Sequence, residues 1–191
     1  MDIKASELSK LLDVIDERGV TIAQVIKLIK KCTKEPILDL DLPKIGDELP
    51  LVFKCPKTIL TPISRGNYVD MADGIEPKNF PILPGLAGKE FNLVAKIFTP
   101  HGVFGSDLPI KKMTKAGFRP ATTVEMLYFI EQYPKVQRRL TMVALASVWK
   151  PKGGSHNVIC AENDGVSCKL VMHWLTDIWS DKFCFLGIKN V

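Results

Sequence analysis

The chain has 191 residues and a formal net charge of +5, with 46% hydrophobic and 25% charged residues. This balance is typical of a globular protein, and it excludes a wholly disordered chain because the apolar surface suffices to offset the entropy lost on folding. No run approaches the roughly 20 apolar residues of a membrane helix, so no membrane contact is predicted. Five widely spaced cysteines without a Cys-x-x-Cys pair argue against a disulfide framework or a zinc knuckle, and they favour a reducing, cytoplasmic location.

The first 35 residues are predicted to form a helical hairpin, appended to an α+β core domain over residues 36–191, and one continuous domain is the alternative. Apolar residues recur there at helical spacing, and Thr21 with Gln24 makes the pattern of a capping box. The second helix of this hairpin, over residues 22–34, has an apolar stripe on one side and lysines on the other.

Residues 50–108 are predicted to form strands and loops. Prolines and glycines divide this segment into short runs that leave no room for a long helix. Residues 51–53 and 58–60 are short strand candidates, and 91–98 is the strongest one.

The last third is predicted to place a helix on an antiparallel sheet. Thr122 and Glu125 make a capping box at the start of a helix over 122–133. Asn163-Asp164-Gly165 is a strong hairpin turn signal. Strands are predicted at 140–149, 157–161, 166–174 and 183–188. The predicted fold class is therefore α+β, with an N-terminal helical hairpin, a proline-rich β region, and a C-terminal helix packed on an antiparallel sheet.

One stretch carries a recognisable pattern. After Gly117-Phe118, residues 119–125 read R-P-A-T-x-x-E at the start of a helix, and Tyr133-Pro134 follows at its end. Residues 146–149 then end an apolar strand in small-Ser-x-Trp. This pattern resembles the C-terminal part of uncharacterised bacterial and phage proteins over residues 117–188. The resemblance implies a bacterial or phage origin and carries over no activity and no site.

Two histidines and a cysteine on the 157–174 hairpin are a candidate site. If Asp164-Gly165 is a two-residue turn, His156 faces His173, and Cys160 lies on the same side of the sheet. Two imidazoles and a thiolate could bind zinc, or the histidines could act as acid and base. The opposite side of both strands is predicted to face the core, and this side to stay partly wet. A three-residue turn would separate the histidines, which would then be packing or solvent contacts.

Basic residues cluster between residues 111 and 152, where nine Lys and Arg stand against two acids. This stretch, or the lysine side of the 22–34 helix, could bind the phosphates of a nucleic acid, and a solvated face is the alternative. The candidate residues are Lys27, Lys30, Lys31, Lys111, Lys112, Arg119, Arg138 and Arg139.

The familiar catalytic motifs are missing: no G-x-S-x-G, H-E-x-x-H or G-x-G-x-x-G occurs. Trp174 and Trp179 are predicted to lie in the core or at its rim. The sequence therefore predicts a non-enzymatic binding or structural module that contacts a protein partner and needs no cofactor. Nucleic-acid binding is the alternative, and a metal-dependent or histidine-based enzyme, with catalytic residues not identified, comes third.

Overall fold

A computed structural model describes residues 45–66, 68–137, 139–163 and 167–191. The chain divides into Met1–Asp41 and Leu42–Val191, and the described residues all belong to the second unit. The helical hairpin predicted for residues 1–35 lies outside the described residues, and its boundary with the core domain stays a prediction.

The described ranges contain eight strands and four helices. The strands are β1 (Glu48–Lys54), β2 (Tyr68–Met71), β3 (Glu90–Phe98), β4 (Arg119–Pro120), β5 (Thr141–Trp149), β6 (Asn157–Asn163), β7 (Cys168–Trp174) and β8 (Phe183–Asn190). The helices are α1 (Leu60–Arg65), α2 (Asp107–Lys115), α3 (Thr123–Gln132) and α4 (Pro134–Gln137).

All eight strands belong to one mixed sheet. Its order is β1-β3-β8-β5-β6-β7-β2, and β4 pairs with β8 beside this path. β5 runs parallel to β8 and β2 runs parallel to β7, whereas the other neighbours are antiparallel.

The predicted fold class is therefore wrong. It separated a proline-rich β region from a C-terminal antiparallel sheet, but β1 and β3 join the C-terminal strands through the pairing of β3 with β8. The structure is mostly a mixed sheet, with 39% strand and 20% helix. Local sequence patterns predict where a strand lies but not its partner, because pairing depends on contacts between distant segments.

Several predicted elements are confirmed, and two helices were missed. The strands predicted at 91–98, 140–149, 157–161 and 183–188 are present, as is the 122–133 helix. The strand predicted at 58–60 is wrong, because α1 begins at Leu60. Pro62 and Pro109 suggest breaks in the sequence, yet each lies in the first turn of a helix, where proline is tolerated.

Both faces of the sheet are buried. On the first face, α3 packs its Phe129 and Ile130 against a core that includes Ile159 of β6. The second face has its own core of Phe104, Met113, Phe118, Val143, Leu145, Val158, Cys160, Trp179 and Phe185. The prediction that this side stays partly wet is wrong for the middle of β6, because Cys160 is fully buried under α2 and the neighbouring loops.

At a bulge in β5, the segment that precedes α3 forms backbone hydrogen bonds with the sheet. The pairing of β5 with β6 shifts between Ala144 and Val148. There the Ala146 N–H donates to the Ala121 carbonyl at 3.0 Å, and the Ala121 N–H donates to the Leu186 carbonyl at 2.9 Å. The segment before α3 thus lies between β8 and β5, with its backbone groups paired on both sides.

Gly187 of β8 lies where two aromatic side chains leave no room for a larger residue. An added Cβ would lie 2.6 Å from Cε2 of Phe98 and 3.2 Å from Cβ of Phe118. We expect Gly187→Ala to lower the free energy of unfolding by about 1–3 kcal/mol through overpacking, measured by urea denaturation. Gly105→Ala is the matched control, because nothing lies within 4 Å of its added Cβ. Equal stability of the two variants would contradict the prediction.

Candidate functional site

The pairing of β6 with β7 keeps the two predicted histidines apart. His173 pairs with Val158, whereas His156 precedes β6 and its carbonyl accepts a hydrogen bond from the Leu175 N–H at 2.8 Å. The connection between the paired ends of the strands has four residues rather than two. The predicted facing of His156 and His173 is therefore wrong, because the longer connection moves each pair by two positions.

Cys160 shares a sheet face with His173 but is closed to solvent. Its side chain is fully buried, and this burial raises the pKa of the Cys160 thiol well above its ordinary value. A metal ligand must be a thiolate, which such a site disfavours. Across the described ranges, no group of three or more His, Cys, Asp or Glu side chains is placed to hold a metal ion. The structure therefore does not favour the predicted set of His156, Cys160 and His173.

His173 instead lies between two carboxylates. Its Nε2 is 2.9 Å from Glu162 Oε1, and its Nδ1 is 3.2 Å from Asp177 Oδ2. The ring packs against Trp179 and Phe183, with centroids 5.7 and 5.5 Å away. Both contacts are hydrogen bonds only when both ring nitrogens carry protons. Because both ring nitrogens face carboxylate oxygens of this chain, neither faces a substrate, and this arrangement is a structural clamp rather than a general base.

The same carboxylate fixes the turn that follows β7. Asp177 Oδ2 also accepts a hydrogen bond from the Trp174 N–H at 3.0 Å, and the Asp177 N–H donates to the Trp174 carbonyl at 2.9 Å. An aspartate that bonds the backbone in this way stabilises a tight turn. The positions of Trp174 and of Ile178, directly after the turn, are therefore set by the clamp on His173.

Three exposed apolar residues lie on this turn and on the segment that a backbone bridge joins to it. Trp174 is 58% exposed, Ile178 is 73% exposed and Val103 is 78% exposed. A backbone bridge pairs the buried Phe104 with the buried Trp179, so that their neighbours Val103 and Ile178 point outward. We call Val103, Trp174 and Ile178 the Trp174 patch. Trp174, predicted to lie in the core or at its rim, is thus more than half exposed.

Hydrogen bonds hold Trp179, which directly follows Ile178 of the Trp174 patch. Trp179 is fully buried, and its Nε1 donates to Ser106 Oγ at 2.8 Å. The Ser106 hydroxyl in turn donates to the carbonyl of Leu175. This chain of hydrogen bonds joins the segment before α2 to the segment after β7, which are the two segments that carry the patch.

The residues of the R-P-A-T-x-x-E pattern form a closed structural cluster. Arg119 donates through Nη1 and Nη2 to the two oxygens of Glu125 at 2.9 and 2.6 Å. The backbone N–H and the hydroxyl of Thr122 donate to Glu125 Oε2 at 2.7 and 2.9 Å. The hydrogen bonds to Glu125 raise the pKa of Arg119. Since these contacts occupy Arg119, they explain the pattern as a reinforced helix start.

The candidate nucleic-acid residues are not brought onto one surface. Lys111 and Lys112 are exposed on α2, whose Met113 belongs to the core of the second face. Arg139 follows α4, whose Val136 belongs to the core of the first face. Lys27, Lys30, Lys31 and Arg138 lie outside the described residues, so their role stays a prediction.

A comparison of the chain with models of protein families, with characterised proteins and with solved structures found no match. The bacterial or phage origin implied by residues 117–188 therefore stays a prediction. None of the described helices combines the length and the apolar character needed to cross a bilayer.

Proposed function

We propose that this protein is a non-enzymatic binding module that contacts a protein partner through the Trp174 patch. The observation that carries the proposal is an exposed tryptophan on a backbone held by hydrogen bonds. Tryptophan is enriched among the residues that dominate binding energy, because it buries a large area and loses little side-chain entropy. A turn that is already ordered also reduces the entropy lost on binding.

Two further observations support this function. The clamp on His173 uses both ring nitrogens for structure, which favours binding over acid–base chemistry at this imidazole. Cys55, Cys160 and Cys184 are free thiols, which suits a protein that works in a reducing compartment. We therefore infer a cytoplasmic partner.

The test compares wild-type protein with Trp174→Ser/Ile178→Ser and with the control Leu83→Ser. Leu83 is 64% exposed outside the patch, so the control removes a similar apolar side chain without touching it. Proteins captured from the host cell by each immobilised chain are quantified, and the best candidate is purified for titration. We expect the patch variant to bind that partner at least about tenfold more weakly, with the control unchanged.

All of these side chains are exposed, so the thermal unfolding curves of the three proteins should nearly coincide. A partner that binds wild type and the patch variant equally well would contradict the proposal. Equal weakening by Leu83→Ser, or no saturable partner, would contradict it as well.

A further inference from the structure

A groove lies at the β1 end of the sheet, with four strands between it and β7, which carries Trp174. It opens between the end of β1, helix α1 and the last turns of α3, and its volume is about 720 Å³. The Gly88 N–H donates to the Cys55 carbonyl and the Cys55 N–H donates to the Lys89 carbonyl, both at 2.8 Å, which fixes one wall. Sites for small molecules typically span about 300–1,000 Å³, so the groove has the size of a ligand site.

The lining of the groove is predominantly positive. Lys54, Lys57 and Arg65 contribute three cations, against the single carboxylate of Glu131. Arg65 Nη1 lies 3.5 Å from Glu131 Oε1, whereas no described carboxylate is within ion-pair distance of Lys54 or Lys57. Charges of one sign in a concave site reinforce one another, so the groove attracts anions.

A buried tyrosine offers the groove a hydrogen-bond donor. Tyr128 is 7% exposed, and its ring stacks on Phe53 with centroids 4.7 Å apart. No described group accepts a hydrogen bond from its hydroxyl. Among the described residues, the only side-chain polar atom that is fully buried and has no hydrogen-bond partner is Thr123 Oγ1. The unpartnered Tyr128 hydroxyl is therefore not fully buried, and Tyr128 lines the groove. Burial raises the pKa of Tyr128, which keeps the phenol protonated and able to donate.

We propose that this groove binds a small organic anion whose phosphate or carboxylate head group contacts Lys54, Lys57 and Arg65 and accepts a hydrogen bond from Tyr128. Phe53 and Tyr128 give the less polar part of such a ligand an aromatic surface to pack on. Four strands separate β1, which contributes to the groove, from β7, which carries Trp174, so this site is distinct from the proposed protein contact.

The experiment titrates inorganic pyrophosphate and, separately, citrate into the whole chain by calorimetry, with amide chemical shifts to locate each probe. We expect saturable one-to-one binding of at least one probe, weakened by added salt because the contacts are ionic. Which probe binds more tightly distinguishes a phosphate site from a carboxylate site.

The variants separate the groove from general surface charge. Lys54→Ala/Lys57→Ala should weaken binding at least about tenfold, and Tyr128→Phe about threefold to tenfold, since the latter removes only one hydrogen bond. Glu131→Gln should bind a few times more tightly, because it removes the carboxylate that competes for Arg65. Lys111→Ala/Lys112→Ala on α2 is the control and should bind as wild type does. No saturation by either probe below about 10 mM, or equal weakening by the control, would overturn the proposal.

Discussion

Glu125→Ala is expected to lower the free energy of unfolding by about 2–4 kcal/mol, because it leaves buried donors without an acceptor. The Glu125 side chain is 7% exposed and accepts hydrogen bonds from Arg119 and from the backbone and hydroxyl of Thr122. The Arg119 side chain is 48% exposed and regains water when the pair is broken. Most of the lost stability therefore comes from the start of α3, where the N–H and the hydroxyl of Thr122 lose their acceptor.

Urea unfolding of a small series checks this origin. Glu125→Gln retains a capping-box acceptor and loses the ionic pair, so it should cost less than Glu125→Ala. Arg119→Ala should cost least, about 1 kcal/mol, because it removes the solvent-exposed member of the pair. If Glu125→Ala unfolds within about 0.5 kcal/mol of wild type, the cluster does not stabilise the helix start as argued.

Trp179→Ala should lower the free energy of unfolding by about 3–5 kcal/mol, the usual effect of removing a large buried aromatic side chain. Trp179 is fully buried and meets Phe183 and Phe185 edge to face, with centroids 4.9 and 5.6 Å away. Its indole N–H also donates to Ser106. Because Trp179 is itself one partner of the backbone bridge to Phe104, the variant should also loosen that bridge.

Circular dichroism during denaturation gives the stability, and amide hydrogen exchange reports on the bridge. Ser106→Ala is the control, since it removes the hydrogen-bond partner and keeps the ring; we expect about 1–2 kcal/mol from it. In Trp179→Ala the amide of Phe104, which donates to the Trp179 carbonyl at 3.1 Å, should exchange faster relative to amides of β6. A loss in Ser106→Ala as large as that in Trp179→Ala would contradict a packing origin.

Patterns over a few neighbouring residues were sufficient to predict much of the secondary structure. The capping box of Thr122 and Glu125 is present as predicted, because both of its hydrogen bonds close within four residues of chain. The strands at 91–98, 140–149 and 183–188 were predicted from apolar and β-branched runs. In contrast, α2 was missed because Pro109 resembles a helix breaker until its position in the first turn is known.

The candidate sites could not be predicted from the sequence, because they depend on contacts between residues far apart in the chain. The clamp on His173 joins Glu162 of β6 to Asp177 beyond β7, and its geometry depends on a register set by a four-residue connection. The exposure of Trp174 could have been suspected only from its place at the end of β7, three residues before Asp177. The groove combines residues of β1, α1 and α3, which are far apart in the chain.

The amino-acid sequence alone determined the pattern of apolar and polar residues along the chain. That pattern was enough to predict local elements whose hydrogen bonds close over a few residues. The tertiary structure alone decided that β3 pairs with β8, that both sheet faces are covered, and that His173 meets two carboxylates instead of His156. The physical reason is that strand order and register follow from packing and loop closure over the whole chain, and a shift of two positions exchanges one cross-strand neighbour for another.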